Sequence, residues 1–391
     1  MKKNLAIGLF VVLVAAASCS FTNKTFENDD KDKLLLDLIT YVLNKAHYEP
    51  KDINDDFSVN VFEDFIDVID PTKRYFLESD IKEFEQQKFQ IDDQIKNTDI
   101  TFFNLVYNRL MQRMEDAKEI YQEVLEEPFD FAKKESINIE YNDLLFAESR
   151  KVLKERWRQQ LKYATLNTYD AKVTNGHVHS PDEAPDFHDK DTDADKPMAP
   201  KEAEISARVS TKKTLDEFFE FVSDLQRKDW FVQYLNTIVD EFDPHTFYFA
   251  PEDKELFDTR MSGKFEGIGA RLQKKPEGAK IVDIISGGPV WRDASLEVGD
   301  IILKVAQEGE VPVDIVGMRL DDAIKMIKGP ESTVVELTVR KIDGSTDVVS
   351  LIRDVVELEE SFAKSAKISK DNLNFGLINL PKFYVDFDDY T

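Results

Sequence analysis

The pattern of apolar residues changes near residue 260, and this change constrains the fold more than any other feature of the chain. Before it, apolar side chains recur at three- and four-residue spacing, which places them along one face of a helix. After it, short β-branched runs are bounded by glycines, which is typical of strands. The sequence therefore predicts a multidomain protein, with a mostly α N-terminal domain over residues 33–250 and an α+β domain over residues 255–353.

Amphipathic segments define the predicted helices of the first domain. The clearest is a long helix that ends at Pro128, because proline cannot continue a helix. Other helices are predicted after Leu34, through residues 144–161 and through residues 215–239. The apolar stripe of the long helix is Val106, Leu110, Met114, Ala117, Tyr121 and Val124, and that of the first helix is Leu35, Leu38, Ile39, Val42 and Leu43.

Residues 172–204 interrupt this domain with a polar, proline-containing segment that has almost nothing apolar. Its histidines and aspartates invite a metal site: His177, His179, His188, Asp191, Asp193 and Asp195. Measured from Asp191, Glu202 falls at the twelfth position of a calcium loop, but Lys196 occupies the turn position that needs glycine. The segment is therefore predicted to be a disordered acidic insertion, and we predict no metal or other cofactor.

Composition limits the expected partners. The chain has 391 residues, 51 of them basic and 77 acidic, and a formal net charge of −26. Such a surface repels phosphate backbones, so nucleic acid is not an expected partner. Since Cys19 is the only cysteine, no internal disulfide can form, and each domain must be stabilised by a packed core.

The N-terminus has the features of a secretory signal over residues 1–18. Lys2 and Lys3 precede an apolar run from Leu5 to Ala17, which is too short to span a bilayer comfortably. Small residues stand directly before Cys19, and this arrangement resembles a bacterial lipobox, in which the cysteine receives a diacylglycerol. We therefore predict a lipid anchor on Cys19, a polar tether over residues 19–32, and a location in the cell envelope on the periplasmic side. The alternative is an ordinary signal peptide with an incidental cysteine.

A glycine loop opens the second domain, at residues 265–270 (Phe-Glu-Gly-Ile-Gly-Ala). Strands are predicted at residues 281–285, 300–305, 334–340 and 347–351, with helices after Gly288-Pro289 and over residues 320–328. The order of glycine loop, Gly-Pro helix, Gly-Asp-Ile-Ile strand and closing helix resembles a PDZ domain of the bacterial kind. In that fold, the C-terminus of a peptide adds as an extra strand beside the last helix.

The PDZ resemblance implies two sets of binding residues. Gly267, Ile268, Gly269 and Ala270 would form the cradle for the terminal carboxylate, because successive backbone amides of such a loop can face an anion. Leu272, Ile324 and Ile327 would line an apolar pocket for the last side chain. For Ile324 and Ile327, ordinary core packing is an equally good interpretation of the spacing.

Further motifs extend the resemblance to residues 33–391. They occur in one order: Asp243-Pro244-His245-Thr246, Leu320-Asp321-Asp322, Ile327-Lys328-Gly329-Pro330 and Leu380-Pro381-Lys382-Phe383-Tyr384-Val385. Together they resemble the carboxy-terminal processing peptidases, or tail-specific proteases. The resemblance implies a serine-type endopeptidase with a serine nucleophile and a lysine base, which binds proteins by free, apolar C-termini. It also implies that residues 354–391 begin an α/β protease core.

The catalytic pair implied by the resemblance is expected beyond Thr391. The strand-like segments over residues 373–391 have no evident partner, so we expect the chain to be an inactive N-terminal fragment. Ser361 and Lys364 match a Ser-x-x-Lys spacing, but on a strand these positions face opposite sides. His245 follows a turn and has no neighbouring nucleophile, so a structural role is expected.

Two other functions remain possible at this stage. One is a non-catalytic PDZ lipoprotein that captures C-terminal tails for another protease. The other is a structural envelope lipoprotein with an unused groove. A peptide with a free C-terminus and its amidated form distinguish these two, since only carboxylate recognition depends on the free acid.

Overall fold

The structure, a computed structural model, describes residues 28–174, 197–358, 361–370 and 373–385. It divides into two units, with the division between Tyr248 and Phe249. The described part of the first unit is helical, and all the described strands belong to the second, which also has three helices. This order confirms the predicted fold class of a mostly α domain followed by an α+β domain.

Eight α-helices are described in the first unit. They are α1 (Asn28–Ala46), α2 (Asp55–Ile69), α3 (Glu78–Phe84), α4 (Ile91–Lys96), α5 (Thr101–Glu126), α6 (Arg150–Thr174), α7 (Pro200–Asp224) and α8 (Arg227–Asp240), with short 3-10 turns at Glu85–Gln87 and Tyr141–Asp143. None of the helices in the described ranges has the length and apolar character needed to cross a bilayer.

The core of the helical unit is built around α5. All six residues of its predicted apolar stripe are buried, which confirms the period read from the sequence. Aromatic rings from α2, α5 and α8 meet there: Phe65 lies 5.0 Å from Tyr234, and Phe103 lies 4.9 Å from Phe231, both edge to face. Each such pair contributes about 0.5–1.5 kcal/mol beyond simple burial.

A buried carboxylate links α3 to α5. Asp80 has no exposed surface and accepts hydrogen bonds from Arg113 Nε at 2.7 Å and from the Leu77 N–H at 2.9 Å. Arg109 forms a further ion pair with it. Burial alone would raise the pKa of Asp80, but these hydrogen bonds lower it below its usual value. The ionised form is therefore the one built into the fold.

We predict that Asp80→Ala destabilises the helical unit by about 3 kcal/mol, because it leaves two arginines without their shared partner. Urea unfolding followed by the fluorescence of buried Trp157 measures the effect. Asp116→Ala is the matched control, since Asp116 also pairs with Arg113 but is 35% exposed. If both variants lose the same free energy of unfolding, burial of the Asp80 carboxylate does not increase its contribution to stability.

The first helix begins earlier than predicted. Helix α1 starts at Asn28, inside the segment 19–32 that was predicted to be a tether. Its acidic residues are not simply solvated, because Arg227 forms ion pairs with both Asp29 and Asp32. Acidic residues in a first turn also favour helix formation. The predicted apolar face is partly wrong as well: Leu36 and Leu43 are buried, whereas Leu38 and Val42 are exposed.

The single helix predicted over residues 215–239 is two helices, α7 and α8. The chain breaks at Leu225-Gln226, where the Gln226 N–H donates to Asp229 Oδ2 at 2.7 Å. This side-chain acceptor satisfies a backbone donor at the start of α8 and so favours a new helix over a continuous one. The helix predicted from Leu144 likewise begins only at Arg150.

Helices overlap both ends of the insertion that was predicted over residues 172–204. Helix α6 continues to Thr174, and α7 begins at Pro200, where a proline costs no helical hydrogen bond. Glu204 is buried and accepts a hydrogen bond from the Phe129 N–H at 2.9 Å, so this end is packed. The segment's histidines and Asp191, Asp193 and Asp195 lie outside the described residues, and the predicted disorder there stays a prediction.

A turn after α8 places a carboxylate among donors. Asp243 accepts from the His245 N–H at 2.8 Å and from the Tyr48 hydroxyl at 2.9 Å, and its side chain contacts the His245 ring at 2.9 Å. These contacts, led by the His245 backbone, lower the pKa of Asp243 to about 2. His245 lies in a turn, where the sequence also placed it.

A carboxyl group with a lowered pKa stabilises the fold above its ordinary pKa, and this contribution disappears as the pH falls through the lowered value. We therefore expect Asp243→Asn to be less stable than the native chain at pH 6. The difference should close between about pH 4 and pH 2. Urea midpoints across this range measure it, with the exposed Asp240→Asn as control. A difference that stays constant with pH would contradict the assignment.

The second unit contains helices α9 (Pro251–Ser262), α10 (Pro289–Asp293) and α11 (Leu320–Ile327). Its strands are β1 (Lys264–Gly267), β2 (Ala270–Lys275), β3 (Gly278–Ile284), β4 (Ile301–Gln307), β5 (Val313–Asp314), β6 (Val334–Arg340), β7 (Thr346–Ile352), β8 (Asp354–Glu357), β9 (Lys364–Lys370) and β10 (Leu373–Asn379). An antiparallel sheet has the order β2-β3-β4-β6-β7, with β5 beside β4.

The core of this unit lies under the sheet, and burial alternates along β6, where Val335, Leu337 and Val339 are buried. The four predicted strands correspond to β3, β4, β6 and β7, and the two predicted helices to α10 and α11.

The strands after Arg353 do have partners. Strand β8 pairs with β1, and β9 pairs with β10 over seven residues, from Leu373↔Lys370 to Asn379↔Lys364. The expectation that the segment from residue 373 lacks a partner is therefore wrong for residues 373–379, because β9 pairs with one edge of β10 in a local hairpin. The assignment of residues 354–391 to a protease core stays a prediction.

Candidate peptide-binding site

Strand β2 stands at the end of the sheet. It pairs with β3 on one side, and no described strand pairs with its other edge. Helix α11 packs against β2. An unpaired strand edge can form backbone hydrogen bonds with an added strand. A helix beside that edge can contact the side chains of the added strand.

The bend between β1 and β2 is anchored by its carbonyl groups. Ile268 O accepts from the Val290 N–H at 3.0 Å, and Gly269 O accepts from the Ile285 N–H at 2.9 Å. Both residues are buried, yet within the described residues neither of their own N–H groups donates a hydrogen bond. Buried N–H groups need acceptors, and successive amides at a glycine bend have the geometry that binds an anion.

Gly269 cannot be replaced without strain. Its φ is +77°, a conformation that L side chains rarely adopt, and an added Cβ would lie 3.0 Å from the Cα of Gly288. Gly288 precedes α10, whose Val290 holds the bend. The two glycines therefore let two backbone segments approach closely enough for these hydrogen bonds to form.

The structure brings most of the predicted site residues together at the open edge of β2. Gly267, Ile268, Gly269 and Ala270 form the bend and the start of the strand. Leu272 and Ile324 are both half-buried, on β2 and α11. Ile327 is only 2% exposed and belongs to the core, which favours the packing interpretation for that residue. The role of all these residues in peptide binding stays a prediction.

One neighbour of the bend was not found by sequence reasoning. The Cγ of Lys328 lies 3.6 Å from the position that a Cβ would take on Gly267. Lys328 and Phe265 also line a cavity of about 690 Å³ between α9, β1 and the end of α11. Nothing in the sequence pattern connects residue 328 to residue 267, because their proximity depends on the packing of α11.

Ser361 and Lys364 differ in environment. Ser361 is 1% exposed and its Cβ lies under Gly263, 2.9 Å from the position of an added Cβ there, whereas Lys364 is exposed at the start of β9. This burial agrees with a structural serine. In the described ranges, no group of three or more His, Cys, Asp or Glu side chains is placed to hold a metal ion. Cys19 lies outside the described residues.

We predict that Gly269→Ala loses about 2–3 kcal/mol of local stability, from the positive φ and from the contact with Gly288. Gly309→Ala is the matched control: Gly309 has the same φ of +77° but nothing within 4 Å of an added Cβ. It should lose only about 1 kcal/mol. Hydrogen exchange of the β2–β3 amides measures the local opening free energy. Equal protection in the two variants would contradict the importance of the close approach.

Models of known protein families match both units of the chain. A model of the tail specific protease N-terminal domain matches residues 39–252, more than half of the chain, and a PDZ domain model matches residues 258–340. Among solved structures, the PDZ domain of a carboxy-terminal protease from Vibrio cholerae in complex with a peptide is 42% identical. The match covers 24% of this chain and 99% of that one, with a TM-score of 0.24.

Curated relatives are proteases. The tail-specific protease of Haemophilus influenzae is 26% identical over 358 residues, which cover 91% of this chain and 47% of that protein. A probable CtpA-like serine protease of Staphylococcus epidermidis is 30% identical over 141 residues, covering 36% of this chain and 26% of that protein. The chain thus spans about half the length of the first relative and about a quarter of the second. With its helical unit and its PDZ domain both matched, the chain belongs to the tail-specific protease family.

Proposed function

We propose that this chain supplies the substrate-binding part of an exported serine-type endopeptidase, which recognises proteins by their apolar C-terminal tails. The membership of the family and the protease names of the relatives support the reaction class. The observation that carries the proposal is the pair of buried, unpaired amides at Ile268 and Gly269, beside the open edge of β2.

The carboxylate of a tail fits this pair of amides. Each buried N–H without an acceptor costs about 1–3 kcal/mol, and a bound carboxylate removes that cost. Because the acceptor is charged, the new hydrogen bonds are stronger than those between neutral groups. A carboxamide has no charge and brings an N–H₂ group to a site that holds donors, so an amidated tail should bind much more weakly.

The rest of the tail adds to β2 as an extended strand. The open edge supplies main-chain hydrogen bonds, which give affinity without regard to sequence. Leu272 and Ile324 are half-buried beside this edge and would cover the last side chain of the tail. Burial of apolar surface contributes about 25 cal/mol per Å², whereas a charged side chain there would lose its hydration without a partner. The site would therefore prefer an apolar last residue.

Catalysis is proposed for the whole protein. A serine would attack the scissile carbonyl and a lysine would take its proton, as in other serine–lysine hydrolases. The described residues would contribute by holding the tail in a fixed, extended register, which lowers the entropic cost of positioning the scissile bond. A signal over residues 1–18 and a lipid on Cys19 would place the protein in the cell envelope, on the periplasmic side.

A titration with fluorescent peptides tests the binding step. A ten-residue peptide that ends in valine with a free carboxylate should bind at least tenfold more tightly than its amidated form. Fluorescence anisotropy gives both dissociation constants. If the two peptides bind equally, carboxylate recognition and the proposed function are both wrong.

A substitution on α11 tests the side-chain preference. Ile324→Asp should raise the dissociation constant of the valine-ended peptide about tenfold or more. The new carboxylate would face both the apolar last side chain of the peptide and its negatively charged C-terminus. The matched control is Ile342→Asp, because Ile342 is 65% exposed in the turn between β6 and β7. An unchanged dissociation constant for Ile324→Asp would remove α11 from the site.

A further inference from the structure

Lys328 is the described cation whose stem lies against the glycine bend. It follows α11 directly, and its Cγ comes within 3.6 Å of the Cβ position of Gly267, which begins the bend. Its ammonium group is carried further along the same flexible stem and lies 5.5 Å from the centre of the Phe265 ring. A change of rotamer could therefore move this charge without any movement of the backbone.

The ammonium group of Lys328 already has a partner. It lies 2.7 Å from Glu255 Oε1 on α9, in a pair whose side chains are 24% and 55% exposed respectively. An ion pair with one partner so open to water contributes little to stability, because water screens the attraction and holding two long side chains in one geometry costs entropy. Lys328 can thus leave Glu255 at small cost.

The cavity beside the bend does not attract anions by its net charge. Three acidic side chains (Glu255, Asp258 and Glu266) and three basic ones (Lys264, Lys325 and Lys328) line it, so their charges cancel. Any contribution of side-chain charge to anion binding at the bend therefore depends on which of these charges lies nearest to it. The contact with Gly267 singles out Lys328.

We infer that Lys328 exchanges Glu255 for the terminal carboxylate of a bound tail. This inference rests on the proposed function, in which that carboxylate sits at the amides of Ile268 and Gly269. The ammonium group would add a charged donor to the two neutral ones, and Glu255 would return to water. Glu255 then acts as a weak built-in competitor for the ammonium group of Lys328. Lys328 and Glu255 together would set the selectivity for free C-termini.

Four proteins and the two valine-ended peptides test this exchange. Lys328→Met should weaken the binding of the free-acid peptide about tenfold and leave the weak binding of the amidated peptide unchanged. Glu255→Gln should tighten the free-acid peptide about threefold, because Lys328 no longer has a competing partner. In the double variant, Glu255→Gln should have no effect, since the lysine it would release is absent.

The two single variants are expected to change the affinity for the free-acid peptide in opposite directions. Misfolding cannot explain this pattern, because a misfolded Glu255→Gln protein would not bind more tightly.

Lys325→Met is the matched control: it removes the same charge from the exposed face of α11 and should change binding less than twofold. If Lys325→Met and Lys328→Met weaken the binding of the free-acid peptide equally, the effect comes from the overall electrostatic potential and the inference is wrong. If native protein prefers the free acid but Lys328→Met binds it as well, this inference fails while the proposed function stands. If native protein binds both peptides equally, both fail.

Discussion

The hydrogen bonds from Val290 and Ile285 to the carbonyls of the glycine bend determine which way its peptide groups face. Because the C=O and N–H of a trans peptide group point in opposite directions, the bond that holds the Ile268 oxygen turns the Gly269 N–H of the same peptide away from Val290. The close approach of Gly269 to Gly288 makes these bonds possible, since any Cβ on Gly269 would lie 3.0 Å from the opposing backbone. The candidate site is therefore a product of backbone packing more than of special side chains.

The surrounding fold keeps this bend in place and leaves its neighbourhood open. Strand β2 is supported on one side by β3 and has no described partner on the other, and α11 packs against it. Ile327 fixes α11 in the core, and Ile324 is left half-buried beside the edge. Two residues three positions apart on one helix thus have different roles: Ile327 anchors the helix in the core, and Ile324 remains partly accessible.

Patterns that depend on local chemistry could be predicted from the sequence. The apolar stripe of α5, the limits of β6 and the glycine bend all follow from short-range periodicity or from positive φ. The start of α1, the break between α7 and α8, and the contact of Lys328 with Gly267 could not be predicted. Each depends on a partner distant in sequence or on a side-chain cap: Arg227 for α1, Asp229 for the break, and the packed position of α11 for Lys328.

The bend's own contribution to anion binding comes from backbone N–H groups, which do not titrate. Peptide amides keep their donors at every pH a cell envelope meets, while a C-terminal carboxyl group has a pKa of about 3.3–3.7 and is ionised throughout that range. Acidification of the surroundings to about pH 5 would leave both partners unchanged. The backbone contribution to recognition would therefore stay constant in the periplasmic location proposed above, whose pH follows that of the surroundings.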